Sequence, residues 1–225
     1  MSNNDSFIDE VNDEVRRDRL YGMLRRYGWI AILVIVLIVG GAAFSEWRKA
    51  QARTEAEALG DAMLNALKLD DSAARAAAFS KIEAGQPSAR AVLNFLTASE
   101  EFEAGDAADA TAHLQEIANN NDVPLIYRQI ASFKMLGQGA ATMSVEDRRA
   151  GYEALAQPGV ALRLLASEQL AMIDIETGDT DAAIARLKTI LDDSEVTPDL
   201  QQRALQVIVA LGGEPDLGAN GANGN

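Results

Sequence analysis

The sequence contains no cysteine and a single histidine, His113. Without cysteine there is no disulfide, no thiol nucleophile and no thiolate-bound metal. One imidazole cannot build a Cys-His pair or a multi-histidine zinc site. The lack of cysteine also suits an oxidising compartment. Basic residues are scarce: 20 Lys and Arg face 34 Asp and Glu, for a formal net charge of −14. Most of that excess lies after residue 46, and such a surface repels nucleic acid and anionic headgroups. Phosphate loops are missing, because Gly137-Gln138-Gly139 and Gly212-Gly213 have neither a lysine nor a helix-opening context. The aspartates of EAGDAAD and ETGDTDA lack the alternation and closing Glu of a calcium loop and read as helix caps. Glu100, Glu101 and Glu103 resemble paired carboxylates, but adjacent residues on a helix point apart. No catalytic, metal-binding or cofactor-binding residue is predicted. His113 reads as a repeat-surface residue, and neither a nucleic acid nor a small-molecule substrate is expected as a partner.

What the chain does have is one long apolar run. Tyr27–Ser45 holds nineteen consecutive residues without a charge, between Arg26 and Glu46. As a helix it spans roughly 28 Å, close to the hydrocarbon thickness of a bilayer. The chain's two tryptophans, Trp29 and Trp47, stand at its ends with Tyr27 and Phe44 beside them. Rings at both edges form the aromatic-belt pattern of a membrane span, here placed over 27–47. A buried core helix would need no such fence of rings and arginines. A cleaved signal peptide is the other alternative, with Gly41-Ala42-Ala43 as small residues near a cut. Twenty-six residues precede the run, however, and Trp47-Arg48-Lys49 follow it directly, as at a retained anchor.

Orientation follows from the basic flanks. Arg16, Arg17, Arg19, Arg25 and Arg26 precede the span; Arg48, Lys49 and Arg53 follow it. The excess on the amino side places residues 1–26 in the cytoplasm as a short tail, with the rest of the chain across the membrane. Arg25, Arg26, Trp29 and Trp47 mark the membrane edges. In the tail, Ser6-Phe7-Ile8-Asp9 reads as a capping box opening a charged helix.

Beyond the span the pattern is helical throughout, alanine-rich and without strand-like alternation. A helix continues over Glu46–Leu69, with apolar residues at Ala52, Ala56, Leu59, Met63 and Leu67. Asp70-Asp71-Ser72 marks a turn. Further helices are predicted over 72–84, 87–104, 107–119, 124–137, 145–156, 160–177, 180–191 and 198–211. Residues 212–225 are rich in Gly and Asn and read as a disordered tail.

Two stretches nearly copy one another, 73 residues apart: Glu103–Leu114 and Glu176–Leu187. Each ends a helix with Gly-Asp and opens the next, with Ala110 or Ala183 five after the Gly and Leu114 or Leu187 nine after it. Gly105 and Gly178 are expected to end a helix at positive φ, and Asp106 and Asp179 to cap the next. A degraded middle copy fits between them, with Ala150 as its small contact residue. The predicted fold class is therefore all-α: one N-terminal membrane helix, then an α-solenoid of helical hairpins over 48–211.

The Gly-Asp turn with an alanine five after the Gly resembles the tetratricopeptide repeat. The repeats look divergent, since that family's first-helix aromatic and Gly are missing. A fuller resemblance covers nearly the whole chain. The tail FIDEVNDEVRRDRLYGMLRRYGW, the span ending in EWRKAQ and the outward Ala-rich helix with divergent repeats are similar to the YfgM-like family. That resemblance implies a bacterial inner-membrane protein with a periplasmic repeat domain. It further implies an ancillary subunit of a SecYEG-type translocon, with periplasmic chaperones as partners. From the residues alone, a binding scaffold of another envelope complex, such as cell-division or outer-membrane assembly machinery, stays open. Candidates for the face that binds a partner segment are Phe95, Ser99, Phe102, Tyr127, Phe133, Glu168 and Met172. Each also suits the core.

Overall fold

The computed structural model describes residues 3–214, apart from the side chains of residues 3–24 and of Tyr27, Ala31 and Ala141. Among the described residues there are α-helices and one short 3-10 turn, and no strand. The expected disordered tail lies, beyond Glu214, outside the described residues. The packing divides the chain into two compact units at Asp61–Ala62.

The first unit is a helix. α1 runs over Asn3–Leu67 without interruption, and its last turn and a half belong to the second unit. The helix begins before Ser6, so the expected capping box there does not form its start. Residues 28–67 include a stretch long and apolar enough to cross a membrane, and none of that stretch is buried. Trp29, Phe44 and Trp47 are exposed, as are Arg25 and Arg26. Phe44 and Trp47 lie with ring centroids 6.0 Å apart.

The second unit is a stack of antiparallel helices: α2 (Ser72–Phe79), α3 (Pro87–Ala104), α4 (Ala107–Asn119), α5 (Leu125–Gln138), α6 (Val145–Leu155), α7 (Arg163–Glu176), α8 (Thr180–Leu191) and α9 (Pro198–Ala210). Each packs chiefly on its neighbours in sequence, which is the arrangement of a helical-hairpin solenoid. Local chemistry sets the ends. The Asp71, Ser144, Asp179 and Thr197 side chains accept from the backbone N–H three residues on, and Pro87 and Pro198 open their helices.

The copied Gly-Asp turns are near-identical. Gly105 has φ 91° and Gly178 φ 83°. The Asp106 N–H donates to the Glu101 carbonyl at 2.8 Å, and the Asp179 N–H to the Asp174 carbonyl at 2.8 Å. This is the Schellman closure that positive φ permits. Asp179 caps α8, whereas the Asp106 side chain makes no capping bond to α4. Ala110, Ala183, Leu114 and Leu187 are all buried at the helix contacts.

Three expectations shift. α2 stops at Phe79 rather than running to Ala84, because fully buried Phe79 anchors a turn in which the Lys81 and Ile82 N–H groups reach back three residues. α7 begins at Arg163, since Gly159 at φ 85° and two such turns occupy 157–163. Ala150 is exposed. The small residue at the middle contact is Gly151, where an added Cβ would stand 2.5 Å from Leu136 Cδ2.

Candidate functional site

In a stack of hairpins the first helices, here α3, α5, α7 and α9, form one side. A groove of about 540 Å³ opens there, lined by Phe133 from α5, Leu165, Glu168, Gln169 and Met172 from α7, and Arg203, Gln206 and Val207 from α9. Four of these side chains are apolar and two are neutral amides. The remaining two neutralise each other: Arg203 Nε donates to Glu168 Oε1 at 2.7 Å and Nη2 to Oε2 at 2.8 Å. Such bidentate pairing holds the rim without leaving a free charge in it.

The groove brings together three of the sequence candidates, Phe133, Glu168 and Met172. Phe133 also meets buried Tyr152 edge-on, at 5.5 Å between centroids. The other candidates stand elsewhere. Phe95, Phe102 and Tyr127 pack against the core of α3, α4 and α5, with Phe95 and Tyr127 6.4 Å apart. Ser99 is exposed on α3. Sequence reasoning missed Leu165 and Gln169 on α7 and Arg203, Gln206 and Val207 on α9. The offset that aligns the two copies also pairs Ala131 with Ala204, both buried, and so identifies α9 as a further first helix.

That 73-residue offset extends well beyond the Gly-Asp turns. Arg75 contacts Glu103 at 3.3 Å, and their counterparts Arg148 and Glu176 pair at 2.6 Å. His113 Nε2 lies 3.4 Å from Glu101 Oε1, and their counterparts Arg186 and Asp174 pair at 3.0 Å. Phe79 and Tyr152 are both buried at the equivalent place. Arg149 adds a second bond to Asp174 at 2.6 Å. Burial alone would raise the Asp174 carboxyl, but the hydrogen bonds from Arg149 and Arg186 outweigh it and hold it below the ordinary carboxylate range. At Glu101 burial prevails and pushes the carboxyl up, against the pull of His113. Its Oε2 is buried without a partner.

Among the described residues no three His, Asp or Glu side chains are placed to hold a metal ion. The groove offers apolar contact and amide hydrogen bonding, which are means of recognition. A family model described as a tetratricopeptide repeat-like domain matches residues 24–150. No curated protein and no solved structure matches the chain.

Proposed function

The chain belongs to the tetratricopeptide repeat-like domain family, and from that premise we propose that it is a membrane-anchored scaffold at the Sec translocon. In this reading α1 crosses the bacterial inner membrane once, with residues 1–26 in the cytoplasm and the repeats, over 48–211, in the periplasm. The repeats link the translocon to periplasmic chaperones or exported chains. The observation that carries the reading is the apolar groove of α5, α7 and α9, whose two charges pair with each other, on a chain with an exposed apolar helix. Phe133, Leu165, Met172 and Val207 suit the apolar side chains of a passing segment. Gln169 and Gln206 suit its backbone.

Tethering makes weak contacts sufficient, because partners in the same membrane meet at high effective concentration. Mild cross-linking of membranes followed by purification of the chain tests the reading. Translocon subunits and periplasmic chaperones are the expected products. Cell-division or outer-membrane assembly proteins in their place would move the scaffold to another envelope complex.

A further inference from the structure

The two copies have a pocket at the equivalent place, about 440 Å³ in the earlier copy and about 500 Å³ in the later, and differ in whether its arginine is paired. In the later copy Arg163 is held by two carboxylates: Nη1 donates to Asp193 Oδ2 at 2.6 Å, Nη2 to Asp193 Oδ1 at 2.7 Å and also to Glu195 Oε2 at 2.7 Å. The equivalent residues of the earlier copy are Arg90, Asn120 and Asp122. The two loops keep the same local bond. The Asp122 N–H donates to Asn120 Oδ1 at 3.0 Å, as the Glu195 N–H does to Asp193 Oδ1 at 2.9 Å. Asparagine for aspartate removes the carboxylate and leaves the loop in place. Among the described residues, Arg90 makes no ion pair.

Arg90 instead borders a pocket of about 440 Å³ with Asn94 and His113; Ile82 and Ala84, both half-buried, give it accessible apolar surface, with buried Phe79 and Leu93 behind them. This volume is in the range of small-ligand sites. Glu83 is the carboxylate among the lining residues, and it does not pair with Arg90. Ser99 is the counterpart of groove-lining Met172 at the 73-residue offset, and Arg90 stands two and a half turns from it on α3, so the two face opposite ways. The pocket is therefore separate from the side on which the first helices form their groove.

We propose that this pocket binds a carboxylate carried on an apolar body, with Arg90 receiving the carboxylate as Arg163 receives Asp193, and with half-buried Ile82 and Ala84 receiving the apolar part. The later copy shows what this guanidinium position takes, a carboxylate in a two-pronged hydrogen bond. Two sources share the chemistry, the free C-terminus of a peptide and a small branched acid.

His113 is the only histidine of the chain, so its imidazole NMR signal in the full chain, isotope-labelled and held in detergent at fixed pH, reports on the pocket without overlap from another imidazole. N-acetyl-Leu-Leu is expected to shift it saturably, and the matching carboxamide to bind at least tenfold more weakly. Arg90→Gln is expected to weaken binding at least tenfold. Asn120→Asp is expected to do the same, by giving Arg90 the partner that Arg163 has. Arg90 is exposed, and aspartate at half-buried position 120 can keep the loop bond from the Asp122 N–H, as Asp193 does from Glu195; unchanged thermal melts verify the fold. Isovalerate is the second probe. Weaker binding than the dipeptide assigns the site to a chain terminus, and equal binding assigns it to free acids. The proposal is overturned if N-acetyl-Leu-Leu causes no shift up to about 10 mM, well above the level of weak recognition. It is equally overturned if acid and amide act alike, or if Asn120→Asp binds as the parent does.

Discussion

Glu101 and Asp174 occupy the same place in two copies of one hairpin, and their carboxyls are pushed in opposite directions. Burial raises Glu101, whose neighbour is His113. Two arginines lower Asp174 in spite of burial. The linkage signs follow. Stabilisation from Asp174 is complete above the ordinary carboxylate pKa and is lost as pH falls from there through its lowered value. Glu101 contributes below its ordinary pKa, and that contribution is lost as pH rises through its raised value. Asp174→Asn is therefore expected to cost roughly 1.5–3 kcal/mol at neutral pH, the worth of hydrogen bonds to charged groups. Its deficit should shrink below about pH 4. Glu101→Gln should be neutral or stabilising at pH 7. Denaturant melts of the full chain in detergent between about pH 3 and 8 measure both. Equal losses from the two substitutions would show that Glu101 is held as an ion pair.

The middle hairpin offers a packing test. Leu136 is buried, and a Cβ at Gly151 would meet its Cδ2 at 2.5 Å, Cδ1 at 2.8 Å and Cγ at 3.2 Å. Gly151→Ala forces Leu136 to shift, at a cost of about 1–3 kcal/mol. Replacing a mid-helix glycine returns about 1 kcal/mol of that. Gly151→Leu has no such offset of size and should be the worst of the series. Ala150→Leu, on an exposed position, should stay within about 0.5 kcal/mol of the parent. Thermal melts of the three variants decide, and a harmful Ala150→Leu would return the contact to that residue.

That one-residue slip shows what the sequence made legible. Where Gly-Asp stands at the turn, as at 105–106 and 178–179, positive φ and the burial of Ala110 and Ala183 were readable directly. The middle turn has no Gly-Asp, and the 3-10 turn Gly139–Ala141 changes the phase of α6, so counting could not locate its contact. The groove was half legible for a similar reason. Phe133 and Met172 have the right spacing along their helices, but Phe95 and Tyr127 have it as well. Which aromatics close the core depends on how far each helix pair approaches, and that is a tertiary property. Arg203 drew no attention because its partner Glu168 is thirty-five residues away.

Membrane orientation is tested by labelling, which the absence of cysteine makes simple. Single cysteines are placed at Ser6 and at Ser194, an exposed residue between α8 and α9. In cells opened only at the outer membrane, an impermeant maleimide should label position 194 and spare position 6. The reverse pattern would reverse the topology and remove the repeats from the periplasm.

The groove itself makes the sharpest demand on the proposed function. Gln206 is exposed at its wall, whereas Gln115 is exposed on α4, a second helix that faces away from the row of first helices. A photo-cross-linker at position 206 should form adducts with translocon subunits, chaperones or exported chains, and one at position 115 should not. Met172→Lys places a charge on the apolar floor, four residues on from Glu168 and within reach of its carboxylate, so the uncharged Met172→Gln is measured beside it. The native groove is expected to bind on the micromolar scale of transient recognition, about −8 kcal/mol, so a tenfold loss amounts to about 1.4 kcal/mol. Met172→Lys should lose at least that much while its melting midpoint stays near the parent's, because Met172 is only half-buried. Arg203→Ala should lose capture together with stability, since it leaves buried Glu168 charged and alone. Adducts of equal yield from positions 206 and 115, with Met172→Lys fully competent, would place recognition on another surface of the chain.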